Sequence, residues 1–183
     1  SLCDWSSDVC SSDLLLSAEE MIARCGPDTP LAENPGVSLG AALAGFTMSG
    51  HNKLTILTSP KLTSFARWAE QLIAESTGKM GRGLVPVIKE PVGRPAHYGN
   101  TRIFVYFRLD SDDNVVMDRA IADLNKYGQY VVQVDLSYKY ELGSALFMWL
   151  FATAVACAVI WVNPFDQPDV DSSKSLTRTL ILS

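Results

Sequence analysis

Two polar side chains near the middle of the chain have the types and spacing for proton-transfer chemistry. Gln71 and Glu75 lie four residues apart within residues 59–83, and this spacing places both on one side of a helix. Glu75 falls in the last turn, where the negative end of the helix dipole favours the protonated carboxyl group. With apolar neighbours sheltering it by half, such a group can exchange protons near neutral pH. The alternative is a solvated glutamate on a surface helix.

The segment 59–83 is predicted to form one helix that ends beside a glycine-rich loop. Ser59 can act as N-cap, and Pro60 suits the first helical position because no N–H partner is needed there. Gly78 stands where a left-handed C-terminal cap is expected. Apolar residues at helical spacing form a stripe that would pack this helix on a core. The stripe consists of Phe65, Trp68, Ala69, Leu72 and Ile73.

The order of elements around this helix predicts an α/β fold. Strands are expected at 53–58, 102–109 and 130–136, with a short strand or an extended loop at 84–88. Further helices are expected at 17–25 (with Ser17 and Glu20 as a capping box), 34–49, 115–127 and 169–182. Because the strands are apolar on both faces and alternate with helices, we predict a three-layer αβα sandwich with a mostly parallel sheet. Ligands bind such sheets beyond the carboxyl ends of the strands, and the loop after 53–58 is one such end.

Residues 142–162 carry no charge and are therefore a candidate membrane span. We predict instead a buried helix of the α/β domain. Small residues are dispersed through the segment, no basic cluster flanks it, and a polar turn follows at once. The sequence therefore predicts a protein without a membrane partner.

Composition and cysteine content limit the number of domains, the kinds of partner and the kinds of cysteine site that the chain can have. The 183 residues are 48% hydrophobic and 19% charged, with net charge −5, which is typical of one soluble domain. Scattered basic residues argue against a nucleic-acid partner. Residues 1–14 resemble a translated sequencing adapter and are interpreted as a non-native tail, with a disordered Ser/Asp-rich tail as the alternative. This leaves Cys25 and Cys157, which form no metal or redox motif and are expected to be buried in a reducing cytosol. No metal or other cofactor is predicted.

Two motifs carry a resemblance to a known family. Residues 163–174, NPFDQPDVDSSK, and residues 70–79, EQLIAESTGK, together resemble the glucose-6-phosphate isomerase family. Over residues 15–183 the chain is most similar to the isomerase half of bifunctional transaldolase/glucose-6-phosphate isomerases. The resemblance implies a sugar isomerase (SIS) domain and interconversion of glucose 6-phosphate and fructose 6-phosphate through a cis-enediol(ate).

The resemblance also implies roles for four residues. Glu75 matches the base that moves the proton between C2 and C1, and Lys174 matches a lysine that assists ring opening and holds the substrate. Gln71 and Gln167 match substrate-binding glutamines. His97 is the only downstream candidate for the family's ring-opening histidine, but its surroundings do not match that motif, and a loop histidine is the ordinary alternative. His51 is expected to lie at the surface.

The family's phosphate-gripping Ser/Thr loop and the arginine beside the enediolate have no match here. We therefore expect residues 15–183 to be a truncated second SIS domain, inactive alone, with the upstream SIS domain as partner. A homodimer is possible for the full-length enzyme, and a cytoplasmic location is implied. The alternative function is a non-catalytic SIS module that binds sugar phosphates.

Overall fold

The fold contains a four-stranded parallel sheet with helices on both faces, as predicted. The computed structural model describes residues 5–166 and 168–182. The strands are β1 (Lys53–Thr58), β2 (Val85–Ile88), β3 (Arg102–Leu109) and β4 (Tyr130–Leu136), in the order β2-β1-β3-β4. The helices are α1 (Trp5–Arg24), α2 (Pro35–Met48), α3 (Thr63–Thr77), α4 (Val115–Lys126), α5 (Leu142–Val159) and α6 (Pro168–Leu182). The short segment at Val85–Ile88, left open by the sequence, is a strand.

The two faces of the sheet have unequal cores. Side chains alternate between faces along each strand, so Ile103 and Val105 point to one core while Phe104 and Tyr106 point to the other. The first core is covered by α1, α2, α3 and α5, and the second by α4 and the loop after β2. The stripe predicted for α3 is confirmed, because its members are buried in or packed against the first core.

Helix α5 is the central buried helix of the larger layer. It packs against α1, α2 and α3, and Trp149 is fully buried with its ring 5.4 Å from that of Phe107. Among the described residues, one helical stretch, 139–159, is long and apolar enough to cross a membrane. Because a core helix passes the same test, this packing explains the composition without a bilayer.

The first helix is longer than predicted. The sequence predicts a helix at 17–25 capped by Ser17, whereas α1 runs over Trp5–Arg24. The Ser17 hydroxyl instead donates to the Tyr140 carbonyl oxygen (2.7 Å) and accepts from the Ser144 backbone N–H (3.0 Å). The tertiary contact with the start of α5 therefore replaces the local cap. The non-native origin of residues 1–14 stays a prediction.

Ser59 is not the N-cap of a helix. Residues Pro60–Leu62 form a short 3-10 turn, and no side-chain cap begins it or α3. The buried Ser59 hydroxyl donates to Asn114 Oδ1 (2.5 Å) and accepts from the Leu109 backbone N–H (2.8 Å). Asn114 also donates to the Leu109 carbonyl oxygen (2.7 Å) and accepts from the Tyr106 hydroxyl (3.1 Å). The carboxyl ends of β1 and β3 are thus joined by internal hydrogen bonds.

Ser59→Ala should lower the free energy of unfolding by about 1.5 kcal/mol, because the buried Leu109 N–H and one Asn114 lone pair would lose a partner. Urea denaturation measures this loss. Ser49→Ala is the matched control, since the exposed Ser49 hydroxyl, at the C-cap of α2, donates to the Gly45 carbonyl oxygen one turn earlier (2.8 Å). Equal stability of the two variants would contradict the role given to the network.

Candidate functional site

The end of the first motif, residues 75–79, and the start of the second, residues 163–166, lie at the amino edge of the sheet. Because β1 and β2 are parallel, the connecting helix α3 runs antiparallel to them and ends where the strands begin. Helix α5 follows β4 and ends at the same edge. Glu75 therefore lies at the edge opposite the carboxyl ends of the strands, where ligands were expected to bind. At the carboxyl ends of β1 and β3, the loops after the strands bind each other instead.

Lys79 joins the ends of the two motifs. Its side chain is only 5% exposed, and its Nζ donates to the Asn163 carbonyl oxygen (2.6 Å) and to the Asp166 carbonyl oxygen. The same Nζ lies 3.0 Å from Asp166 Oδ1. A buried ammonium group is stable only with such partners, since desolvation of an unpaired charge is costly. Lys79 thus holds the loop 163–166 against the end of α3.

A second contact joins the same helix ends. The buried Cys157 thiol on α5 donates to the Ser76 carbonyl oxygen on α3 (3.5 Å). Burial raises the pKa of the Cys157 thiol, and the nearby Lys79 charge acts in the opposite direction. The prediction that Cys25 and Cys157 are buried is confirmed, and neither forms a disulfide.

Gln71 and Glu75 lie together on the exposed side of α3. The Gln71 side-chain amide donates to Glu75 Oε1 (3.1 Å), so the predicted common face is confirmed. Both side chains are exposed, however, and the expectation that apolar neighbours half shelter Glu75 is wrong. The apolar stripe of α3 faces the core, whereas this pair is displaced from the stripe toward solvent. In this chain the carboxylate is open to a ligand or to another surface.

The structure does not bring Lys174 to Glu75. Lys174 lies on α6, whose described side chains are exposed, and among the described residues no hydrogen bond or ion pair joins it to Glu75. Gln167, the predicted substrate-binding residue, lies outside the described residues. The roles of all four site residues stay predictions.

A cleft of about 350 Å³ opens at the same edge. Its walls come from the ends of α2 and α5 and from the glycine-rich loop after α3. Gly83 is required there, because its φ is +105° and an added Cβ would lie 2.2 Å from the Thr77 carbonyl oxygen. Gly78 is not the predicted left-handed cap, since its φ is −74°. Trp161 and Phe165 are 80% and 89% exposed and leave this edge with large apolar side chains in contact with solvent.

Sequence reasoning missed Lys79 as a structural member of the site. The available signal was its position in the matched motif 70–79, one residue after the glycine that ends α3. Its partners could not be foreseen, because they are backbone carbonyls 84 and 87 residues away.

The structure also shows where the two histidines of the chain lie. His97 ends a 3-10 turn in the loop between β2 and β3, whereas His51, expected at the surface, is half-buried beside Phe46 and Tyr130.

No protein-family model matches the chain. The chain is 26% identical to a glucose-6-phosphate isomerase of Acholeplasma laidlawii over 151 residues, covering 63% of this chain and 36% of that protein. It is 26% identical to the glucose-6-phosphate isomerase of Legionella pneumophila over 171 residues, covering 73% of this chain and 34% of that protein. The chain thus spans about a third of the length of these relatives.

Solved structures show the same fold. A hypothetical protein of Thermus thermophilus superposes with a TM-score of 0.77 at 18% identity, over 93% of this chain and 50% of that one. A glucose-6-phosphate isomerase of Chlamydia trachomatis superposes with a TM-score of 0.65 at 16% identity, over 94% of this chain and 43% of that one. The resemblance predicted from residues 70–79 and 163–174 is therefore confirmed: this chain is similar, in sequence and in fold, to glucose-6-phosphate isomerases.

Proposed function

We propose that this chain supplies the Glu75-bearing part of a glucose-6-phosphate isomerase site. The observation that carries the proposal is the Lys79 ammonium group, which ties the end of α3 to the loop 163–166. Two segments separated by more than 80 residues, each resembling the same family, thereby meet at one edge of the sheet. The same edge carries an open cleft of about 350 Å³ and two exposed aromatic side chains.

The proposed chemistry is an aldose–ketose isomerisation of a sugar phosphate. Glu75 removes the proton at C2 and returns it to C1, which requires one carboxylate that reaches both carbons. Gln71, hydrogen-bonded to the carboxylate, orients it and contacts the substrate. Lys174 and Gln167 are assigned to ring opening and to the sugar phosphate. The carboxylate base carries out this proton transfer without a metal ion in the proposed scheme.

The proposed site is completed by another polypeptide segment. Glu75 is exposed in this chain, whereas proton transfer to carbon is efficient where water is excluded and the developing oxyanion is stabilised. We assign that cover, and the phosphate-binding groups, to an upstream SIS domain. A homodimer of the full-length enzyme and a cytoplasmic location belong to the same proposal, whereas the presence of a transaldolase domain is left open.

Supplying the upstream domain is the direct test. This chain alone should not convert fructose 6-phosphate to glucose 6-phosphate. A longer protein that contains both domains should catalyse the conversion. A coupled dehydrogenase assay measures both activities. Activity of the chain alone equal to that of the longer protein would contradict the half-site. Absence of activity from the longer, folded protein would contradict the isomerase.

A second candidate function is a non-catalytic module that binds sugar phosphates. The exposure of Glu75 and its pairing with Gln71 favour it, because a solvated carboxylate and its neighbouring amide can accept and donate hydrogen bonds to sugar hydroxyls without taking part in chemistry. Calorimetric titration with fructose 6-phosphate separates the candidates. If the longer protein and its Glu75→Gln variant bind this ligand with equal affinity and neither isomerises it, the second candidate function, a non-catalytic binding module, is supported.

A further inference from the structure

A second cleft lies on the sheet face opposite α3 and α5. It runs between the loop that follows β2 and the exposed side of α4, and it has a volume of about 530 Å³. We call it the α4 cleft. Its two walls include Arg94 and His97 on the loop and Arg119 on the helix. Glu75 and Lys79 do not line it, so it is distinct from the site proposed above.

The α4 cleft carries unpaired positive charge. Neither Arg94 nor Arg119 has an ion pair or a side-chain hydrogen bond within the described ranges, whereas Arg102 pairs with Glu90. Asp123 is the one acidic residue in the lining. In a protein of net charge −5, two arginines without ion pairs that line one cleft form a local anion-binding feature rather than part of a general basic surface.

The loop wall is held in place without a ligand. The Tyr98 hydroxyl accepts from the Gly93 backbone N–H (2.8 Å), which closes the turn that carries Arg94 and His97. The Arg102 guanidinium lies 5.0 Å from the centre of the Tyr98 ring, and its ion pair with Glu90 fixes the start of the loop. Because the wall is ordered beforehand, less conformational entropy is lost on binding.

The rest of the lining is apolar. It consists mainly of Val92 and Pro95 on the loop and Val116 and Ala120 on α4, and Val116 is 83% exposed. Guanidinium groups match phosphate oxygens in bidentate geometry, while the valines can cover a carbon skeleton. We propose that the α4 cleft binds a small organic phosphate monoester, with Arg94 and Arg119 on the phosphate and the valines against the organic group.

Nuclear magnetic resonance titration of the ¹⁵N-labelled chain tests the proposal. Phenyl phosphate should cause saturable shifts of the Gly93, His97 and Ala120 amides, and inorganic phosphate should cause the same shifts with weaker affinity, since it lacks the apolar group. Arg94→Gln and Arg119→Gln should each weaken phenyl phosphate binding about tenfold, as expected for a lost charged hydrogen bond. The amide spectrum of each variant also establishes that it is folded.

Arg67→Gln is the control, because Arg67 is an exposed arginine on α3, on the other face of the sheet. It should leave the affinity unchanged. Equal weakening by Arg67→Gln would show general charge attraction and overturn the proposal. So would the absence of saturable shifts, or shifts confined to the amides around Glu75. None of these results depends on isomerase activity.

Discussion

In the proposed isomerase, with the proposed upstream domain supplied, Glu75→Gln should lower kcat by about three orders of magnitude. A general base contributes roughly 10²- to 10⁴-fold to such a reaction, and glutamine cannot accept the proton. The substitution keeps the shape of the side chain and the partner at Gln71. KM should therefore change little, because the lost interaction acts in the transition state. The coupled assay with fructose 6-phosphate measures both constants.

Glu70→Gln is the matched control for this experiment. Glu70 precedes Glu75 on α3 by five residues, so its side chain points to a different side of the helix. It removes the same charge from the same helix and should leave kcat within about twofold of the parent enzyme, as a change away from the site does. Full activity of Glu75→Gln, or an equal loss in both variants, would contradict the assignment of Glu75 as the base.

The elements of the fold could be predicted because their signals are local. Strands β1, β3 and β4 have the predicted bounds, since each is a short run of apolar and β-branched residues between polar breaks. The start of α2 was also foreseen. Asn34 Oδ1 accepts from the Val37 backbone N–H (2.9 Å), as its position before a proline indicates. These features depend on neighbours within a few residues.

The two N-caps that were predicted wrongly involve serines whose hydrogen-bond partners are distant in the sequence. Ser17 and Ser59 both have the residue type of an N-cap, yet each hydroxyl binds groups 50 or more residues away. In both places a buried polar group of another element needs a hydrogen-bond partner. Leaving that group without a partner costs more free energy than losing an N-cap, which contributes about 1 kcal/mol. A sequence pattern cannot show which of two such hydrogen bonds the serine will make.

The edge of the sheet at which Glu75 lies was not foreseen, for a topological reason. The general rule puts ligands at the carboxyl ends of parallel strands, but a residue at the end of a crossover helix lies at the opposite edge. The predicted position of Glu75 in the last turn of α3 already implied the amino edge. The connection from there to residues 163–166 runs through Lys79, whose environment no spacing rule describes.

Lys79→Met should lower the free energy of unfolding by about 3 kcal/mol. Methionine keeps most of the side-chain volume but removes the charged donor shared by two carbonyl oxygens and one carboxylate, and charged hydrogen bonds contribute about 1.5–3 kcal/mol each. Urea denaturation measures the loss. Lys61→Met is the control, because the Lys61 side chain is 64% exposed, and its Nζ lies 3.8 Å from Asp112 Oδ1 and donates to the Ser111 carbonyl oxygen (3.1 Å), so water still solvates most of its charge.

Lys79→Met also tests the link between the two motifs. If Lys79 holds the loop 163–166 against α3 for catalysis, the folded variant of the assembled enzyme should lose kcat, because a displaced loop moves its substrate-binding residues out of position. Lys79→Arg should restore part of the activity, since a guanidinium group can still donate to the loop carbonyls. A variant with reduced stability but unchanged kcat would limit Lys79 to a structural role. Unchanged stability would contradict the buried contacts themselves.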